Sequence, residues 1–270
     1  MVLDDYLSLG RPTSNIGLGC GRLVGRSSLR RSAKLVETAL ELGIRHFDVA
    51  PSYGMGTAEE VLGAVLESVP DITIATKVGV PRPQYARGRA LLRQVAKPLL
   101  DRRRALKSFA QGIHRGQPGA VDRSPFVFSN DAIRRSLDES LEKLRRHSVD
   151  VLLLHEPRPS DLNANTAHCL ERLAGEGLFS AWGVGIDACS QRWREFGSIW
   201  QSRWPGSTVD EYRGAVSYVF HGVVRYASSS ESPGAAVRAA VERAPGSLLL
   251  VSASTPGRLR VLLQGNGRPG

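Results

Sequence analysis

The sequence predicts a parallel (β/α)8 barrel, and three segments carry that prediction. Gly43 to Phe47 leads into Asp48, and Tyr53 follows five residues later in a Pro/Ser/Gly loop. Ile72 to Thr76 is an apolar run that ends in Lys77, and Val149 to Leu154 is one that ends in His155. Three strands in a row thus finish at or near a titratable group, which is how parallel barrels display chemistry at the carboxyl ends of their strands. Strand and helix signals alternate along most of the chain, as parallel βα units require. A length of 270 residues suits one barrel domain over 1–270.

The elements are expected in the following order. Asn15–Cys20 is a short first strand. Ser27 or Ser28 caps a helix that runs to Leu42, whose apolar Leu35, Val36, Ala39 and Leu40 keep helical spacing, with Gly43 at C′. Arg45–Ala50 is the second strand. Thr57–Ser68 is the second helix, with Thr57 as N-cap and Glu60 completing a capping box. Ile72–Val78 is the third strand. An irregular, proline-containing stretch over 79–128, with short helices near 86–96 and 99–111, is too long for a plain βα loop and reads as an insertion (80–128) over the mouth of the barrel. A third helix runs from Asp131 to His147, capped by Ser129 or Asn130, with Ile133, Leu137, Leu141 and Leu144 as its buried stripe. Val149–His155 is the fourth strand, Thr166–Glu176 a helix ended by Gly177, and Ser180–Ile186 the fifth strand. Ser190–Trp200 reads as helical and Ala215–Val224 as β. Gly234–Arg243 is a helix, Ser247–Ser252 the last strand and Thr255–Leu263 the final helix. Between Asp187 and Ser232 only one convincing β run stands where two strands and a helix are needed. A degenerate region is therefore expected there, with a very short strand six near Ser207–Val209 and helix six lost.

Composition sets outer bounds. A hydrophobic fraction of 41% and a charged fraction of 23% are those of an ordinary globular chain. No apolar run approaches the roughly 18 residues of a membrane span. The start, Met1 to Leu9, carries Asp4 and Asp5 and lacks the basic and apolar regions of a secretory signal. Cys20, Cys169 and Cys189 form no metal-type spacing and leave an odd thiol, which fits the reducing cytoplasm. The net charge of +10 is concentrated: segment 82–115 holds eight Arg and two Lys against one Asp. Such clustering argues against a distributed nucleic-acid face. The insertion either covers the pocket and biases it towards anionic or aromatic substrates, through arginine pairing and stacking, or is a solvated basic flap. An anionic-membrane or nucleic-acid surface on the same segment is a third reading.

Asp, Tyr, Lys and His together can protonate a carbonyl oxygen while a hydride reaches its carbon. In this order, each at a strand end, Asp48, Tyr53, Lys77 and His155 resemble the catalytic tetrad of the aldo-keto reductase family. The continuation Gly56-Thr57-Ala58-Glu59-Glu60-Val61-Leu62-Gly63 is similar to the helix that follows the tyrosine there. The resemblance covers 14–79, 129–187 and 234–262. It implies a TIM barrel that reduces an aldehyde or ketone with NADP(H). Tyr53 would be the general acid, Lys77, held ionised and oriented by Asp48, would lower its pKa, and His155 would orient the carbonyl. No metal site is read from the His, Cys, Asp and Glu spacings.

The same resemblance suggests the cofactor residues. Thr255 as N-cap and Pro256 at N1 start a helix after a strand, an anion site with Arg258 one turn in. That segment, with Ser252 and Ser254, is similar to the family's site for the adenosine 2′-phosphate. Gly19 and Gly21 would let the backbone approach the cofactor at the end of strand one. The family's strand five usually ends Gly-Val-Ser-Asn, whereas here Gly183-Val184 precedes Gly185-Ile186-Asp187, so Asp187 or backbone groups would hold the nicotinamide amide. Tyr218 is either the aromatic that stacks on the nicotinamide or a half-buried strand tyrosine. The alternative function is a nucleotide-binding barrel that serves as a regulatory or interaction module with little turnover.

Overall fold

A computed structural model of the chain describes residues 1–24, 29–83, 128–187, 196–211, 216–226 and 232–264. The barrel unit consists of Met1–Arg82 with Pro125–Gly270. The expected insertion, with its helices near 86–96 and 99–111, lies outside the described residues apart from its first few positions, and so do Ser27, Ser28 and Cys189.

A two-stranded antiparallel hairpin, β1 (Leu3–Asp4) and β2 (Thr13–Ser14), precedes the barrel. Eight parallel strands then close a ring: β3 (Ile16–Gly19), β4 (His46–Asp48), β5 (Thr73–Val78), β6 (Val149–His155), β7 (Phe179–Gly185), β8 (Ile199–Arg203), β9 (Ser217–His221) and β10 (Leu248–Val251), which pairs back onto β3. The register sets the polar strand ends side by side. Gly19 lies opposite Asp48, and His155 opposite Gly185, which in turn faces Gln201.

The outer helices are α1 (Leu29–Glu41), α2 (Ala58–Leu66), α3 (Asn130–Leu144), α4 (Ala164–Gly175), the short α5 (Val223–Tyr226), α6 (Pro233–Arg243) and α7 (Pro256–Gln264). Helix α1 ends as its sequence implies: Gly43 takes φ +88, its N–H meeting the Leu40 carbonyl and the Ile44 N–H that of Ala39. Ser129 caps α3, its hydroxyl accepting from the Ala132 N–H. That helix stops at Leu144, short of the expected His147, because Arg145 turns left-handed (φ 54) and the Arg145 and Arg146 N–H groups close onto Glu142 and Leu141. The expected stripe of Ile133, Leu137, Leu141 and Leu144 is buried against the barrel.

Three local expectations are corrected. No capping box opens α2: the Thr57 hydroxyl donates to the Gly54 carbonyl (2.7 Å), and Glu60 pairs with Lys143 (3.1 Å). Strand six is neither degenerate nor at Ser207–Val209. It is β8, five residues long, and Ile199 and Trp200, expected to be helical, belong to it. Ser207–Val209 instead lies in a 3-10 turn, Gly206–Glu211, the one helical element described between β8 and β9. Within β8, Ile199 packs into the barrel interior, while Trp200 packs outward with Tyr218 and Phe220.

Two layers of core result. Ala75, Val151, Leu153, Ala181, Ile199, Val219, Leu248 and Leu250 fill the barrel, and Leu7 from the hairpin loop joins them. The larger layer lies between strands and helices. No helix among the described residues is long and apolar enough to cross a membrane.

Candidate active site

Asp48 ends β4, and Lys77 stands one residue before the end of β5, on the adjacent strand. Both are about 2% exposed. Lys77 Nζ donates to Asp48 Oδ1 at 2.8 Å and lies 3.0 Å from the Tyr53 hydroxyl. Tyr53 follows β4 on a tight turn in which Gly54 and Met55 are left-handed (φ 57 and 61). A Cβ on Gly54 would overlap the Leu23 carbonyl, so only glycine fits there. Arg82 ties that turn to the strand end: it donates to the Gly56 carbonyl (2.8 Å) and pairs with the fully buried Glu59 (2.5 Å), which also accepts from Thr76 (2.7 Å). His155, at the end of β6, meets the Tyr53 ring edge-on, with centroids 5.8 Å apart. The next residue, Glu156, is left-handed (φ 53), uncommon for a non-glycine residue. Its carboxylate accepts from the Asp187 N–H (2.7 Å).

Electrostatics within this group run partly against expectation. Burial lifts the Tyr53 phenol above its ordinary value, and Lys77 pulls it back without reversing the direction. The expectation that Lys77 leaves Tyr53 below a free phenol is therefore corrected: withdrawal from water outweighs the single ammonium. Burial also opposes the charge on Lys77, but Asp48 and Tyr53 together raise its pKa above the ordinary lysine range. Lys77 is thus an ammonium at neutral pH, with Asp48 as its counter-ion.

These four residues line one cavity of about 710 Å³, within the range typical of small-molecule sites. Gly19, Gly21, Asp187, Ser252, Ser254 and Arg258 line it as well. Ser252 Oγ donates to the Gly19 carbonyl (3.1 Å), and Arg22 reaches Ser254 Oγ (3.2 Å). Thr255 is not on the lining. Its hydroxyl accepts from the Arg258 N–H (3.2 Å) and so caps α7, as expected, beside the site.

Of the two readings of Tyr218, its placement is that of a strand tyrosine packed in the core. It lies outside the cavity, 4% exposed, edge-on to Trp200 (5.6 Å) and stacked on Phe220 (6.0 Å). Strand parity decides this: Val219 faces the barrel interior, so Tyr218 faces the helices and His221 takes the cavity position. His221 was missed for that reason. Its Nε2 is 4.0 Å from Asp187, and burial, aided by Lys77, lowers its pKa. Gln201 was missed because β8 was not recognised. It is 3% exposed, and its Nε2 donates to Asp48 Oδ2 at 2.7 Å. Arg22, Glu156 and Arg225 complete the polar lining that sequence reasoning did not select. Among the described residues no group of three or more His, Cys, Asp and Glu could hold a metal ion.

A closed parallel barrel with a buried Asp–Lys–Tyr chain and a histidine at its mouth defines the class of protein. The sequence profile described as "Aldo/keto reductase family" matches residues 15–196, and the chain belongs to that family. It is 30% identical over 196 residues to a D-threo-aldose 1-dehydrogenase of a Pseudomonas species, covering 70% of this chain and 53% of that protein. It is 33% identical over 151 residues to a pyridoxal 4-dehydrogenase of Microbacterium luteolum, covering 54% of this chain and 41% of that one. The chain thus spans about half the length of these curated relatives, or less. In fold it is similar to the Pseudomonas aeruginosa protein PA4992, with a TM-score of 0.70 at 22% identity over 97% of this chain and 93% of that chain.

Proposed function

We propose that the chain is an NADPH-dependent oxidoreductase that reduces an aldehyde or ketone to the alcohol, with Tyr53 as general acid. The observation that carries this reading is the buried chain Asp48–Lys77–Tyr53, held at 2.8 and 3.0 Å on the floor of the cavity. Tyr53 keeps its proton at neutral pH, as an ordinary phenol does, and burial moves its pKa further up. It can therefore donate that proton to a carbonyl oxygen as negative charge develops there. The ammonium of Lys77 then stabilises the phenolate left behind, and Asp48 keeps Lys77 charged and aimed at the hydroxyl. His155, across the Tyr53 ring, directs the carbonyl oxygen towards the phenol.

NADPH, when bound, would supply the hydride. The cavity fits such a cofactor by the chemistry of its donors. Ser252 and Ser254 lie near two arginines, Arg22 and Arg258, at a capped helix start, which suits a phosphate monoester. Gly19, Gly21, Asp187 and His221 line the same cavity; in this reading the two glycines let the backbone approach the cofactor, and Asp187 with His221 would hold the nicotinamide amide. The D-threo-aldose and pyridoxal dehydrogenases among the relatives direct attention to sugar and aromatic aldehydes, and to the reverse oxidation. The preorganised proton donor speaks for turnover over the alternative of a regulatory nucleotide-binding barrel. A cytoplasmic setting suits the two described cysteines, both buried and free.

Tyr53→Phe tests the assignment. Carbonyl reduction is expected to fall by at least ~100-fold, the low end for loss of a general acid, while NADPH binding measured by fluorescence titration stays within about twofold. Near-normal turnover in the variant would refute it.

A further inference from the structure

Tyr53 and Lys77 stand on different segments, so the 3.0 Å between hydroxyl and ammonium depends on how those segments are joined. Lys77 belongs to β5, a strand buried along its whole length. Tyr53 opens a turn in which Gly54, Met55 and Gly56 are left-handed in succession (φ 57, 61 and 84). Met55 is strained in that conformation, and such a turn persists only where its surroundings hold it. Arg82 holds it from outside the cavity. Its guanidinium donates to the Gly56 carbonyl (2.8 Å) and pairs with Glu59 Oε2 (2.5 Å), on the first turn of α2. Glu59 Oε1 accepts from the Thr76 hydroxyl (2.7 Å), and Thr76 is the neighbour of Lys77 on β5, facing the opposite side of the strand. Glu59 and Thr76 are fully buried, and neither they nor Arg82 line the cavity. We propose that Arg82 is a positioning residue: with Glu59 and Thr76 it clamps the turn that carries Tyr53 to the strand that carries Lys77, and thereby sets the distance between phenol and ammonium.

The clamp acts through position and not through charge. The charged groups that shift the Tyr53 phenol are Lys77 and Asp48, and neither Arg82 nor Glu59 is among them. A buried ion pair adds little net stability over an apolar pair of the same volume, whereas its directed hydrogen bonds fix geometry. Here they fix three points: the turn at Gly56, the start of α2 at Glu59 and the end of β5 at Thr76. Released from Arg82, the strained turn relaxes and carries Tyr53 away from Lys77. The phenol then loses the ammonium that lowers its pKa, and a displacement of this kind is costly to a proton transfer. The nearest cofactor-lining residues, Gly19, Gly21 and Arg22, precede β4 and are not part of the clamp, so cofactor binding is left in place.

The inference rests on the carbonyl-reductase reading, but its first test needs no turnover. The chain is labelled with 3-fluorotyrosine, and the Tyr53 fluorine resonance is assigned by its loss in Tyr53→Phe. Glu59→Met, Thr76→Val and Arg82→Met are then made together, which removes the clamp and leaves no buried charge or hydroxyl without its partner. The Tyr53 titration is expected to move up by about half a pH unit or more. With NADPH and an activated aldehyde, kcat is expected to fall by about tenfold or more, while the NADPH dissociation constant stays within about twofold of wild type. An unmoved titration in the folded variant overturns the proposal. So does a loss of NADPH binding that matches the loss of kcat, which would make the cluster a support of the fold alone. Arg82→Lys is the second arm and decides by itself if the triple variant does not fold. Its single ammonium keeps the pair with Glu59 and gives up the fork that also reaches Gly56. The same upward shift and a smaller fall in kcat are expected from it, and wild-type values for both overturn the proposal. Absence of turnover with every carbonyl tested would sink the reductase reading while leaving the fluorine titration to judge the clamp.

Discussion

Tyr53 stands between opposing influences, burial raising its pKa and the Lys77 ammonium lowering it. Spacing along the chain marks Asp48, Tyr53, Lys77 and His155, because each sits at or just past the end of an apolar run. Which influence wins on Tyr53 depends on how deeply the fold buries it, and a sequence does not measure that. The cofactor end is also a matter of individual residues. Arg258 is exposed at the start of α7, with Arg22 bonded to Ser254 nearby. Arg258→Ala is expected to weaken NADPH about tenfold, the effect of one charge-assisted hydrogen bond, and to leave NADH little changed. Parallel titrations with the two cofactors check this, and equal losses for both would remove the 2′-phosphate role.

Among the elements, those with a long helical period or an uninterrupted apolar run were legible, and those defined by neighbours were not. The α3 stripe and the run of β6 declare themselves locally. Strand β8 (Ile-Trp-Gln-Ser-Arg) has weak alternation and becomes a strand because β7 and β9 flank it and complete its hydrogen bonds. The α2–α3 contact likewise follows from packing. A Cβ on Gly63 of α2 would stand 2.3 Å from the Lys143 carbonyl of α3. Gly63→Ala gains helix propensity of up to about 1 kcal/mol, yet it should destabilise the chain by about 1–3 kcal/mol through overpacking. Urea denaturation decides the sign, and a stabilised variant would mean that the helices can separate freely.

At the scale of the whole molecule, the barrel interior imposes a pH dependence. His46 on β4 is wholly enclosed, its Nδ1 sharing a hydrogen bond with Thr73 (2.9 Å), which also meets Thr13 (2.8 Å). Burial lowers its pKa from 6.5 to about 4. The unfolded chain therefore binds a proton that the folded chain refuses between those values, and stability falls as pH drops through that window. The full loss amounts to about 3 kcal/mol, and none of it is felt above the unfolded value. His46→Gln is expected to flatten the difference in urea midpoint between neutral and mildly acidic buffer. An unchanged slope relative to wild type would show that His46 is not the group responsible.

What the sequence alone determined was the alternation of βα units, the closed-barrel class and the strand-end placing of Asp48, Tyr53, Lys77 and His155, which the fold brings to one cavity, because each depends on local period or on spacing within one strand end. It also indicated the capped, arginine-bearing helix start at Thr255 to Arg258. Tertiary structure decided the rest. It supplied β8, the Leu7 plug and the parity that puts His221 in the cavity and Tyr218 in the helix-facing core. It also joined Gln201 to Asp48 over a sequence separation of 153 residues. The reason is physical: an inward or outward side chain is fixed by strand register, and register exists only once the ring of hydrogen bonds has closed.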